Sequence, residues 1–255
     1  MISDFFEIFL LSIIQGVSEF IPVSSAAHLI LASNIYEFKN QSLLIDISLH
    51  LGSLLAILFY FKDDVFNFNK NKNLFYKIIL GTIPLIIIGY FLYATNIIDY
   101  FRNIKVIAWA TLFFGILLYI ADKNKFLKKI DTDFNMKSVL IIGFFQILAL
   151  IPGVSRAGIT ITAGRILGFD RTDSTKISFY LSIPALLGAS TLGIKDLFKE
   201  NIDFNLLVLV GVFLSFLFSL ITIKIFFKFV KNFSLNVFVI YRIFLAIILF
   251  YIIYF

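Results

Sequence analysis

From Leu206 to Ile223 the chain carries no charged residue, and similar apolar blocks run from Ile78 to Leu92 and from Val106 to Ile120. In hydrocarbon every backbone N–H and C=O must find a partner within the protein, so such blocks are either helices or strands of a closed barrel. Barrel strands alternate apolar and polar residues, whereas these blocks are continuous. A hydrocarbon core of ~30 Å takes about 20 residues of helix. The expected fold class is therefore an all-α polytopic membrane protein. Composition agrees: 60% of the 255 residues are hydrophobic and 15% are charged, against roughly 45–50% and about 25% in soluble domains.

Polar breaks divide the chain into spans at about 42–61, 78–93, 105–120, 177–194, 206–223 and 236 to the end, about six in all. Segments 5–35 and 138–167 differ. Each is interrupted at its centre, by Pro22-Val23-Ser24-Ser25 and by Pro152-Gly153-Val154-Ser155. Neither is long enough for two spans, so each is either one interrupted span or a re-entrant helical hairpin. Lys and Arg counts by loop distinguish these. With both hairpins re-entrant, one side holds 15 basic residues and the other 5; with both spanning, the division is 11 to 9. Basic residues concentrate on the cytoplasmic side, which favours two re-entrant hairpins with both termini outside.

The broken segments resemble each other. Gln15-Gly-Val-Ser-Glu-Phe-Ile-Pro-Val-Ser-Ser aligns with Gln146-Ile-Leu-Ala-Leu-Ile-Pro-Gly-Val-Ser-Arg if one residue is allowed to slip. A hairpin followed by three spans inverts the second copy. The expectation is a single membrane domain, 1–255, built as an inverted-topology repeat. Its first copy covers about 1–121 with hairpin 5–35, and its second about 138–255 with hairpin 138–167. Broken helices of such repeats meet near the midplane and form binding sites there.

Some chemistries are excluded. The net charge of +6 and pI ≈ 9.3 come from lysines between apolar blocks, which is loop charge rather than a nucleic-acid surface. With no cysteine, disulfides, thiolate zinc sites and thiol nucleophiles are absent. The first apolar segment begins with Asp4 and Glu7 and has no basic leader or small-residue cleavage site, so it is expected in the mature protein rather than as a signal peptide.

Within the apolar segments the ionisable residues are Glu19, His28, Asp46, His50, Arg156 and Arg242. A charge at membrane depth costs at least ~2.5–3.5 kcal/mol on insertion scales, so each needs a reason. Gln15 and Glu19, four apart, share a helical face. Pro22 ends that helix, and Ser24 or Ser25 can cap the next, which places Ser25 and His28 within one turn. In the second hairpin Ser155 can cap a helix whose first turn holds Arg156, and Gly153 and Gly158 permit close backbone approach. Two helix N-termini with Arg156 make a site for a phosphate or pyrophosphate. Glu19 would repel that anion unless a divalent cation lies between them, and Mg²⁺, which binds one or two carboxylates plus phosphate oxygens, suits that place.

Plainer roles compete. Glu19 and Arg156 can be an ion pair stitching the hairpins, and Ser24 and Ser25 can be caps only. His50 fits a structural hydrogen bond, Asp46 a cap or a solvated position, and Arg242 snorkelling or helix packing.

The stretch Gln15-Gly16-Val17-Ser18-Glu19-Phe20-Ile21-Pro22-Val23-Ser24-Ser25-Ala26-Ala27-His28 resembles the first signature of the bacterial undecaprenyl-pyrophosphate phosphatases of the bacitracin-resistance type. Pro152-Gly153-Val154-Ser155-Arg156-Ala157-Gly158 resembles the second, Pro-Gly-x-Ser-Arg-Ser-Gly. Leu51-Gly52-Ser53-Leu54-Leu55-Ala56, Ser178-Phe179 and Ser182-Ile183-Pro184-Ala185 match the family's style. Two positions depart from it: Gln15 stands where Glu is frequent, and Ala157 replaces the second Ser of the second signature.

The resemblance implies hydrolysis of a C55 polyprenyl diphosphate to the monophosphate, recycling the lipid carrier of cell-wall synthesis. It implies a site open to the outer face of the cell membrane, a divalent cation (Mg²⁺, with Ca²⁺ a second option) and homodimers. The expected catalytic residues are Ser25, His28, Glu19 and Arg156. Ser24, Gly153, Ser155, Arg156 and Gly158 are expected to bind substrate, and Glu19 and Gln15 the metal. His28 serves either as base toward Ser25 or water, or as nucleophile, with Ser25 the favoured nucleophile. The rival class is a lipid-phosphate flippase or anion transporter of the same architecture, which has no need of a Ser–His pair beside a carboxylate.

Overall fold

The computed structural model describes residues 2–36, 43–66, 68–123, 127–200 and 206–255. Among these the chain is helical, with no strand beyond one isolated bridge, Lys128 to Phe169. In order the helices are α1 (Ile2–Ser18), α2 (Ser25–Tyr36), α3 (Leu43–Tyr60), α4 (Lys62–Phe66), α5 (Phe68–Ala94), α6 (Ile97–Tyr100) and α7 (Ile104–Asp122). Then follow α8 (Ile130–Asp133), α9 (Met136–Ile147), α10 (Arg156–Ile166), α11 (Arg171–Glu200), α12 (Leu206–Asn232) and α13 (Asn236–Tyr254). A short 3₁₀ turn, Leu148–Leu150, extends α9 toward the second break.

Among the described residues four helical stretches are long and apolar enough to cross a membrane: Asn71–Ala94, Ile104–Asp122, Leu206–Asn232 and Asn236–Tyr254. Leu44–Tyr60 and Met136–Leu150 are shorter apolar helices. The protein is an all-α polytopic membrane protein, and its surface agrees. Ile87, Phe113, Phe213 and Ile240 are each at least 60% exposed, the surface of a fold whose solvent is lipid.

All six expected spans are helices, but several run beyond the apolar blocks. The polar break expected at 62–77 is largely helical, as α4 and the start of α5, with a kink at Asn71. Helix α12 continues through Lys224, Lys228 and Lys231 to Asn232, and α11 continues to Glu200. Leaving hydrocarbon removes the demand for apolar side chains, yet the backbone hydrogen bonds still favour the helix and lysine is a good helix former. Residues 37–41 of the expected break near 36–41, and 201–205 of that at 195–205, lie outside the described residues, as does Lys125 in the loop 121–138.

Both interrupted segments are paired helices, α1 with α2 and α9 with α10, and each pair packs together. Their partners correspond. Helices α1 and α3 pack on α12, while α9 and α11 pack on α5; α7 packs on α13, and α3 on α11. Gln15 and Gln146, Val23 and Val154, and Ser24 and Ser155 occupy matching places in the two segments without the slip that aligning the prolines requires.

Helices meet through small and hydroxylated residues, as lipid-solvated bundles require. A Cβ on Gly16 would lie 2.5 Å from Phe218 Cβ, so α1 sits on α12 at backbone range. Ser219 Oγ donates to Ser53 Oγ at 2.9 Å and Ser215 Oγ to Leu49 O at 2.6 Å, which fastens α3 to α12. At the end of α7 remote from its cap, Asp122 is 3% exposed. It takes Arg171 Nε at 2.8 Å, Arg165 Nε at 3.2 Å and the Leu235 N–H at 3.0 Å. One carboxylate thereby joins α7, α10, α11 and the α12–α13 turn.

Candidate active site

The two breaks are in contact. Ser24 and Ser155 both have positive φ, 79° and 70°, and both cap the helix that follows. Ser24 Oγ accepts the Ala27 N–H at 3.4 Å, and Ser155 Oγ accepts the Gly158 N–H at 3.1 Å. Ser24 Oγ also accepts the Gly153 N–H at 3.2 Å, across from the other segment. Gly153 has φ 96°, and a Cβ there would meet Ile107 O at 2.7 Å, so both backbone geometry and space call for glycine. The N-termini of α2 and α10 are thus held side by side, each with free first-turn N–H groups and a partial positive charge.

Since Ser24 is the cap, Ser25 is left for other work. Its Oγ donates to Glu19 Oε2 at 2.6 Å. Gln15 Nε2 donates to the same oxygen at 3.0 Å, as their i, i+4 spacing allows. Glu19 Oε1 accepts from Arg156 Nη2 at 3.0 Å, with the two side chains 6% and 12% exposed. Arg156 Nη2 also donates to Glu19 O at 3.4 Å, and Nη1 to Ser178 O at 3.2 Å. Nucleophile candidate, carboxylate and guanidinium form one connected chain across the two breaks. Glu19 with Arg156 is an ion pair stitching the hairpins, and the pair also carries the Ser25 contact.

His28 stands one turn from Ser25 on α2, as expected, but its hydrogen bonds go elsewhere. Nδ1 pairs with Ser24 O at 2.7 Å, and Nε2 with Tyr241 Oη at 2.5 Å. Ser25 Oγ therefore meets Glu19 rather than His28, the side chain expected either to act as base toward Ser25 or water or to be the nucleophile. The imidazole curls back along the helix onto the carbonyl four residues before it, a local contact that wins over one three residues away.

Behind the breaks lies Arg242, fully buried. Its guanidinium group has five N–H donors, and five carbonyl oxygens receive them. Nε donates to Thr111 O at 3.2 Å, Nη1 to Pro22 O at 3.2 Å and Val154 O at 3.0 Å, and Nη2 to Ala110 O at 3.4 Å and Gly153 O at 2.8 Å. Gly158 leaves it room, since a Cβ there would lie 3.0 Å from Nη1. Arg242 therefore does not snorkel; it ties both breaks to α7. Its charge is met by carbonyl dipoles rather than by a contacting carboxylate, which leaves a positive charge behind the two helix N-termini while Glu19 is paired with Arg156. The balance favours an anion.

For a cation, the described residues hold no group of three His, Cys, Asp or Glu. Gln15 Oε1 is buried without a hydrogen-bond partner, which leaves an amide oxygen beside Glu19 to serve as a ligand. One carboxylate and one amide fit Mg²⁺ only if phosphate oxygens complete the shell. His50 Nδ1 pairs with Asp46 O at 2.7 Å, the structural hydrogen bond expected of it.

Four contributors escaped the sequence reading as site residues. Ser178 carries the Arg156 contact, and its Oγ accepts from Thr160 Oγ1 at 2.7 Å. Ser53 lies 3.4 Å from Gln15 Nε2, and Tyr241 holds His28. Only Ser53 and Ser178 had a signal, as part of matched stretches to which no role was attached.

Residues 8–248 match the family described as bacitracin resistance protein BacA. A protein of Pelagibacter ubique (strain HTCC1062) named undecaprenyl-diphosphatase is 55% identical over 255 residues, covering 100% of both chains. Proteins of the same name from Elusimicrobium minutum (strain Pei191) and Jannaschia sp. (strain CCS1) are 41% and 36% identical. These alignments cover 94% and 96% of this chain, and 95% and 97% of those proteins.

Proposed function

The chain belongs to the bacitracin resistance protein BacA family, and we propose on that footing that it hydrolyses undecaprenyl diphosphate to undecaprenyl phosphate and inorganic phosphate. The reaction recycles the lipid carrier of cell-wall synthesis and so confers bacitracin resistance. The observation that carries the mechanism is the chain Ser25–Glu19–Arg156 at two apposed helix N-termini.

Arg156 and the first-turn N–H groups of α2 and α10 hold the diphosphate and stabilise the charge that develops on the transferred phosphoryl group. Ser25 Oγ attacks the terminal phosphorus and passes its proton to Glu19 Oε2. The Oγ–P bond forms as the P–O bond to the bridging oxygen breaks, and undecaprenyl phosphate leaves. Water then attacks the phosphoserine. The proton on Glu19 returns to Ser25 as the Oγ–P bond breaks, and the proton of the water goes to solvent. A divalent cation held by Glu19, Gln15 and the phosphates, Mg²⁺ or Ca²⁺, would neutralise the diphosphate. The test is phosphate release from undecaprenyl diphosphate by the purified protein, with and without chelator. No release under either condition would sink the reading.

The basic loops support a site open to the outer face, with both termini outside. A single cysteine at Lys129 should then resist a membrane-impermeant thiol reagent in intact cells; ready labelling there would reverse the sidedness.

A further inference from the structure

Helix α13 brings a second polar side chain to the site besides Arg242. Tyr241 Oη lies 2.5 Å from His28 Nε2, and the two rings stack with centroids 5.7 Å apart and planes 15° from parallel. We propose that Tyr241 is a positioning residue for His28, holding the imidazole in one plane with its Nε2 lone pair covered until substrate arrives. This rests on the phosphatase reading above.

The tautomer follows from the acceptors. Ser24 O, 2.7 Å from Nδ1, is a carbonyl and can only accept, so Nδ1 carries the proton. In the neutral ring the lone pair is then on Nε2, and the Tyr241 hydroxyl donates to it. A protonated ring would reverse that bond, with Nε2–H donating to the tyrosine oxygen, so the contact survives either state of the imidazole.

The two partners of His28 differ in freedom. Ser24 is the buried cap of α2 and is engaged from both breaks, so the Nδ1 contact is fixed. Tyr241 is 41% exposed on α13 and can swing toward lipid. Its hydroxyl occupies the place on Nε2 that a phosphoryl oxygen or an attacking water would take. Substrate displaces the tyrosine and meets an imidazole already oriented.

Tyr241→Phe keeps the stacked ring and removes only the donor. Diethyl pyrocarbonate reacts with the exposed lone pair of a neutral imidazole, and peptide masses distinguish His28 from His50, the other of the two histidines. In Tyr241→Phe the rate of His28 modification should rise about tenfold. On undecaprenyl diphosphate KM should fall by up to about tenfold with little change in kcat, because the substrate no longer has to break that hydrogen bond. His28 reacting at the parental rate in Tyr241→Phe would overturn the proposal, even if KM falls, since the change would then be structural. A parent that releases no phosphate would overturn the function instead, and His28 reactivity would still decide whether Tyr241 covers Nε2.

Discussion

Glu19 and Ser25 are joined by a 2.6 Å hydrogen bond through Oε2, while Arg156 holds the other carboxylate oxygen at 3.0 Å. One carboxylate therefore faces the nucleophile on one side and the phosphate-binding group on the other. Glu19→Gln changes the shape little but removes the negative charge and half of the acceptors. It should lower kcat by at least about a thousandfold as base and positioning are lost together. Excess Mg²⁺ should restore little. Gln15→Glu should stay active and need less Mg²⁺ for half-maximal rate, since two carboxylates on one helical face would share the ion. A metal titration of phosphate release for the three proteins reads both effects. Full activity in Glu19→Gln would leave Glu19 as no more than the partner of Arg156.

Ser25 and His28 can be separated by the fate of the phosphoryl group. If Ser25 is phosphorylated, Ser25→Ala should lose several orders of magnitude in kcat, as removal of a nucleophile does. Acid quenching of the parent with terminally labelled diphosphate should leave label on Ser25. Label on His28, with Ser25→Ala still turning over, would move the nucleophile to the imidazole.

Much of this site is legible in residue order because hydrocarbon punishes polarity. Glu19, Ser24, Ser25, Ser155 and Arg156 stand out since each interrupts an apolar segment and must be compensated there. Which serine caps and which donates to Glu19 was not legible, because either fits the helix start and only the contact of Ser24 with Gly153 decides. Tyr241 gave no signal, since tyrosine is ordinary in membrane helices and its partner lies 213 positions away. Helix ends were misjudged for a simpler reason: apolar blocks report the depth of hydrocarbon rather than the length of the helix.

Asp122 is the ion whose loss should cost most in stability. Its carboxylate is 2% exposed and bonds Arg165, Arg171 and the Leu235 N–H. Asp122→Ala removes the carboxylate 3.2 Å from Arg165 Nε, whose side chain is 4% exposed. Breaking a buried pair from one side costs about 3–5 kcal/mol. The detergent-solubilised variant should unfold at a clearly lower temperature, and what remains folded should keep a near-parental KM because the cluster lies outside the site. An unchanged Tm would mean that water reaches the arginines.

Arg242 invites the opposite expectation, since it lies outside the chemistry and yet fixes its geometry. Five donors meet five carbonyls, three of which, Pro22 O, Gly153 O and Val154 O, belong to the breaks themselves. Lysine keeps the charge but has three donors on a single nitrogen rather than a planar fork. Arg242→Lys must therefore lose at least two of the five hydrogen bonds, at about 1.5–3 kcal/mol each for a charged donor. Gly158→Ala disturbs the same guanidinium by another route, placing a methyl 3.0 Å from Nη1. Both substitutions should lower Tm and kcat together, because three of the five carbonyls flank Ser24 and Ser155 and a single ammonium nitrogen cannot span them as the fork does. Thermal unfolding and phosphate release measured on the same preparations test this. If Arg242→Lys matches the parent in both, the two breaks are held by the contact of Ser24 with Gly153 and the pairing of Glu19 with Arg156 alone.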